Sequence, residues 1–267
     1  MRAAAFFFLG LAAARGHGDV HEEIAALTKQ IETAPADAQL RLRRGGLHRV
    51  HRDWAAAGAD FDEALKLDPR LTAVDLARGE MLGEAGRADD AIAAFDRFLA
   101  QQPGRSEGYA GRARVLAHAM KWEPAAEDFS RAISLAPQPE PALFIERARA
   151  LRSAGKLDEA IRALDAGVAL LGPLITLMQP AVDFENEAGR TDAALARLAK
   201  IIDAAPRKER WLLRRGELLE KAGRPAAARE AFAAAHAALE AVPADRRATA
   251  AMQDLAKSID AALARLR

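Results

Sequence analysis

Apolar residues recur along this chain at helical spacing. In the segment from Asp60 to Pro69, Phe61, Ala64, Leu65 and Leu67 fall on one side of a helix, with acids and a lysine between them. Near the N-terminus, Val20, Ile24, Leu27 and Ile31 share a face, which predicts a helix over 19–34. Asp19 with Glu22 three residues on has the form of a capping box and places that start. At the other end Met252, Leu255, Ile259, Leu263 and Leu266 point one way and Arg, Asp and Lys the other, predicting a closing helix over 245–267. Breaks fall between the periodic stretches. Gly86, Gly155, Gly189 and Gly223 stand where a left-handed helix C-cap wants glycine. Arg52 and Met120 hold the matching places in two other turns, which predicts strain there or a different turn.

The breaks keep time. Pro35, Pro69, Pro103 and Pro137 are 34 residues apart, and Pro173 and Pro206 follow at 36 and 33. A period of this size marks a stack of repeated supersecondary units. Aligned on the prolines, Gly45, Gly79, Ala113, Ala148, Val182 and Gly216 form one mostly small column. Ala57, Ala91, Ala125, Ala160, Ala194 and Ala228 form an invariant one. Phe61, Phe95, Phe129, Leu164, Leu198 and Phe232 follow four residues later, and Ala64, Phe98, Ala132, Gly167, Ile201 and Ala235 three after that. Small residues let helix axes approach, and large ones fill the space between them. Pro180 falls inside the expected first helix of the fifth unit, so it must lie in that helix's first turn or kink it.

These columns resemble the tetratricopeptide repeat (TPR) family: a small residue in the first helix, Ala, a large apolar residue and Ala in the second, closed by Pro. Six units are expected at about 38–71, 72–105, 106–139, 141–174, 175–208 and 209–242. The resemblance implies an all-α solenoid of two-helix units, wound as a right-handed superhelix with a concave groove. It also implies a non-catalytic scaffold that binds a protein or peptide. A single unit cannot bury its apolar face alone, so the array needs caps at both ends.

Composition agrees and adds the compartment. Alanine is about a quarter of the residues, and one tyrosine and 5% aromatics leave little for a β-sandwich. Net charge is +1 on 39 basic and 38 acidic residues, without the basic excess of a nucleic-acid binder. Absent cysteine removes disulfides, thiolate metal sites and Cys nucleophiles. Residues 1–16 have Arg2, then an apolar run from Ala3 to Ala14, then small residues that offer cleavage after Ala14 or after Gly16. That is the pattern of a secretory signal peptide, too short for a permanent span. The expected protein is small, bacterial and secreted or periplasmic, with no membrane span after signal removal. Partners of such exported repeat proteins often belong to envelope assembly or secretion.

Chemistry is sparse. There is no G-x-S-x-G, no G-x-G-x-x-G and no G-K-[ST], so neither a catalytic site nor a cofactor is expected. Mapped onto the first helices, the family's concave face receives Arg43 and Arg49, Glu80, Arg114 and His118, and Arg149 and Arg152 as partner-binding candidates. Arginine forks suit carboxylates and extended backbone. The competing expectation is that they pair with neighbours, Arg49 with Glu84 and Arg152 with Glu187. A second candidate is an N-terminal transition-metal site of His17, His21, His48 and His51. His21 and His51 lie equally far from the turn near Ala36, so an antiparallel pair of helices would bring them level.

Overall fold

A computed structural model describes residues 17–266, with side chains from Val20 on. The expected signal peptide lies outside the described residues. All described elements are helical, and the chain forms two compact units, one ending at Pro137 and the other starting at Gln138.

In the first unit, α1 (His17–Thr33) precedes three hairpins: α2 (Ala38–Val50) with α3 (Trp54–Leu67), α4 (Ala73–Glu84) with α5 (Ala88–Gln101), and α6 (Ser106–His118) with α7 (Trp122–Leu135). Asp37 caps α2 by accepting from the Gln39 and Leu40 N–H groups, and Asp53 caps α3 by accepting from Ala56 N–H. Each helix touches the next, and the first helices also touch one another, α2 on α4 and α4 on α6. An inner layer of first helices and an outer layer of second helices result. Helix α1 lies on α2 with Leu27 and Ile31 buried, and it begins at His17, two residues before the expected start at Asp19.

The second unit has hairpins α8 (Pro141–Ser153) with α9 (Leu157–Leu171), α10 (Ile175–Glu187) with α11 (Thr191–Ala204), and α12 (Glu209–Lys221) with α13 (Pro225–Glu240). The closing segment is two helices rather than one: α14 (Ala244–Arg247), then α15 (Ala250–Arg265), which covers α13 with Met252, Ile259 and Ala262 buried. Pro180 is the sixth residue of α10, beyond its first turn.

The repeat columns are the core. All six alanines of the Ala column are fully buried, and so are Phe61, Phe95, Phe129, Leu164, Leu198 and Phe232 to within 1%. The small column is small because of that neighbour. A Cβ on Gly45 would stand 2.6 Å from the Phe61 ring, on Gly79 2.9 Å from Phe95, and on Gly216 2.3 Å from Phe232. Where the large residue shrinks to Leu164 or Leu198, the small one is Ala148 or Val182, while the third hairpin sets Ala113 beside a full Phe129. Phe95 is enclosed twice, because a Cβ on Gly111 of the next hairpin would lie 2.5 Å from its ring.

The six turns inside hairpins share one hydrogen-bond pattern. In the turn after α4, Gly86 N–H donates to the Gly83 carbonyl and Arg87 N–H to the Leu82 carbonyl, the paired bonds of a Schellman C-cap. The central residue is left-handed in all six: Gly86, Gly155, Gly189 and Gly223 at φ between 70° and 77°, Arg52 at 60° and Met120 at 58°. The two non-glycine turns are therefore the same turn under strain, not a different one.

Candidate functional site

The inner layer of each unit carries the candidate groove residues. Those of the first unit are described first. Arg43, on α2, is exposed and carries no ion pair among the described residues. Three residues on, Gly46 faces open space, with nothing within 4 Å of an added Cβ. Another turn along, Arg49 reaches α4, where its Nη2 lies 3.2 Å from Glu80 Oε2 and its Nη1 bonds Glu84. The expected Arg49–Glu84 pair is present. Burial pushes the Glu80 carboxyl above its ordinary range; Arg49 pulls it down, Glu84 adds to the rise, and Arg114 of α6 pulls it down. So Arg49, Glu80, Glu84 and Arg114 form one electrostatic cluster over three consecutive first helices. Arg114 and His118 are exposed on α6.

In the second unit Arg149 is exposed on α8 and makes no ion pair among the described residues. Arg152 Nε lies 2.6 Å from Glu187 Oε2 on α10, the other neighbour pairing expected from sequence, and its guanidinium lies 5.7 Å from the Phe184 ring. Such exposed pairs contribute little stability.

Beneath this surface runs a set of arginines that the sequence reading missed. Arg44 forks onto Asp60 with Nε to Oδ2 at 2.8 Å and Nη2 to Oδ1 at 2.7 Å, and its Nη1 reaches Thr28 of α1 at 3.0 Å. Arg112 forks onto Asp128 in the same way at 2.7 and 2.8 Å and also binds Asp96 of the preceding hairpin. Asp60 and Asp128 are buried. Both pairs are sixteen residues apart, first helix to second, so the signal was present in the aligned repeats. Arg78 and Arg147 occupy the same column, but sixteen residues later stand Ala94 and Ala163. Arg78 turns instead to Asp62 at 2.5 Å. Arg147 keeps a buried Nε without a hydrogen bond among the described residues, and burial lowers its pKa against the pull of Glu159. These forks hold the first helices on the second and so fix the groove floor.

Of the proposed metal ligands, the structure brings two together. The His21 and His51 rings stack with centroids 4.4 Å apart and planes 26° apart. His48 turns to Asp53, with Nδ1 to Oδ2 at 3.9 Å, and the His17 side chain lies outside the described residues. Among the described residues no group of three His, Cys, Asp or Glu is arranged to hold a metal ion. No helix among them is long and apolar enough to cross a membrane.

The tetratricopeptide repeat family model matches residues 76–139 and 187–245. No curated protein matches the chain. Among solved structures, a tetratricopeptide repeat protein from Parabacteroides merdae is 16% identical, with 91% of this chain and 93% of that chain covered and a TM-score of 0.55. PilW, a type IV pilus biogenesis factor, is 20% identical over 70% of this chain and 86% of its own, at 0.58. YrrB, a TPR protein described as having an unusual peptide-binding site, is 17% identical over 67% and 91%, at 0.52. At these identities the likeness is one of fold.

Proposed function

We propose, with the TPR fold as premise, that this chain is an exported, non-catalytic scaffold that binds a protein or peptide along an inner layer of first helices. Proteins of this fold generally act as interaction scaffolds, and YrrB carries a peptide-binding site. The observation that carries the reading is the surface made by α2, α4 and α6. Arg43 and Arg114 stand exposed there, Gly46 leaves room for a peptide backbone, and a half-buried Glu80 lies among arginines. Export to the periplasm or beyond rests on residues 1–16, and envelope assembly or secretion is the setting that fits it. PilW, with its part in pilus biogenesis, is in keeping with that setting.

The test is selection of peptides from a displayed library on residues 17–267, with affinity then measured by fluorescence anisotropy. Arg43→Glu with Arg114→Glu should weaken the selected peptides about tenfold or more, the size of losing one or two charge-assisted contacts. Undiminished affinity would remove the groove assignment. Fractionation of cells making the full chain tests export: retention of residues 1–16 on cytoplasmic protein would end that part.

The approach of His21 to His51 favours a second reading, a transition-metal accessory protein using the N-terminal histidines. Copper or zinc that leaves the melting temperature of wild type and of His21→Ala/His51→Ala equal would end it.

A further inference from the structure

We propose that the hairpin α10–α11, residues 175–204, is a built-in weak link of the second unit that opens locally as one piece and opens more often as ionic strength rises. This goes beyond the binding role and does not depend on it. Two defects converge there. Pro180 has no N–H to give the Thr176 carbonyl, and it sits in the second turn of α10, where a proline breaks the ladder rather than starting it. Five residues on, Glu185 occupies the column that holds buried Leu82, Leu116, Leu151 and Leu219 in other hairpins. Glu185 is 5% exposed, its Oε1 accepts from Arg197 Nη2 at 2.7 Å, and its Oε2 has no partner among the described residues. Arg197 itself fills a column that is otherwise Ala or Asp. A half-satisfied buried ion pair stands where leucine packs elsewhere, and such a pair holds a core together less well than apolar residues of like volume.

The hairpin keeps a buried apolar core of Leu177, Met178, Val182, Leu198 and Ile201, and beside that core it is tied to its neighbours by ion pairs near the surface. Toward α8–α9 it has Arg152 with Glu187, Arg190 with Asp158, and Arg197 with Asp165 at 2.8 Å. Toward α12–α13 it has Arg214 with Asp183 at 2.7 Å and Arg224 with Asp192 at 2.5 Å. Salt screens pairs of this kind. The hairpin α4–α5 is the internal control. It too is tied by ion pairs on both sides, through Arg49, Arg78, Arg112 and Lys121, and it has a buried acid of its own, Asp75, paired with Arg97 at 2.9 Å; it differs in having Leu82 in place of Glu185 and Phe95 seated against Gly79. In a stack where each hairpin leans only on its neighbours, one weak member can open while the others stay folded.

Hydrogen–deuterium exchange with mass spectrometry on residues 17–267 tests this at low and high sodium chloride. Amides of 175–204 should exchange about tenfold faster than those of α12–α13, and high salt should speed them more than it speeds those of α4–α5. Pro180→Ala and, separately, Glu185→Leu with Arg197→Ala should each slow exchange in 175–204 and leave α4–α5 alone. Equal protection of α10–α11 and α12–α13, a salt response as large in α4–α5 as in α10–α11, or exchange unmoved in both variants would overturn the proposal.

Discussion

Replacing Met120 by glycine should make the protein more stable, against the usual cost of glycine. Met120 sits at φ 58° in a Schellman turn whose counterparts at Gly86, Gly155, Gly189 and Gly223 are glycine. Met120 is 72% exposed, so removal of its side chain forfeits little burial. A side chain in the left-handed region costs about 1–2 kcal/mol. Glycine returns about 0.5–1 kcal/mol of that as extra freedom of the unfolded chain. The net gain is about 0.5–1 kcal/mol for Met120→Gly, and Arg52→Gly, in a separate hairpin, should add a similar amount. Urea unfolding followed by fluorescence measures it, because Trp122 begins the helix two residues past Met120. With a urea dependence of about 2 kcal/mol per molar, the midpoint should rise by about 0.25–0.5 M. Gly223→Ala is the converse control. Nothing lies within 4 Å of its Cβ, so only the backbone at φ 70° can object, and it should lower the midpoint. A Met120→Gly protein less stable than wild type, together with a neutral Gly223→Ala, would refute the account of the turns.

Four further outcomes follow from the packing and the charges. Gly216→Ala should destabilise by about 1–3 kcal/mol, because its Cβ would meet the Phe232 ring at 2.3 Å, and Phe232→Leu should restore part of the loss in a melting experiment. Gly46→Ala, with open space around it, should raise the melting temperature slightly, helix propensity being worth about 0.5–1 kcal/mol. Asp60→Ala leaves the Arg44 guanidinium without its fork and should cost about 3–5 kcal/mol in chemical denaturation. Because the Glu80 carboxyl is raised in the folded protein, the folded state holds its proton longer than the unfolded state; stability from this group falls as pH rises through and above the ordinary 4.5. Glu80→Gln should flatten that decline, and equal pH–stability curves for the two proteins would contradict it.

Much of the fold was legible because it repeats. The Ala and Phe columns are read from spacing alone, and their burial follows from the same spacing. The left-handed turns at Arg52 and Met120 were visible as exceptions to a glycine pattern, though not that the exceptions keep the hydrogen bonds of the rule. The closing segment hid its break at Thr249, because its periodic apolar residues begin only at Met252 and leave the residues before it unmarked. Pro180 was visible, but its depth in the helix depended on where α10 starts, which periodicity places only within a turn. At the candidate site, Arg49–Glu84 and Arg152–Glu187 came from the 35-residue offset between hairpins. Glu80 was a groove candidate, but its raised carboxyl was not legible, since that state arises from burial among charges on three helices. The buried arginine forks were in the aligned columns too, sixteen residues from their acids, but charged residues on helices invite the assumption that they face water.

The Gly–Phe seats decide which pieces of this protein are interchangeable. A first helix and its second helix are cut to the same volume, so each carries the other's complement, and a helix transplanted alone would bring a ring without a hollow or a hollow without a ring. Whole hairpins are the natural modules for duplication, loss or grafting. The double enclosure of Phe95 by Gly79 and Gly111 adds one exception: hairpins two and three travel together.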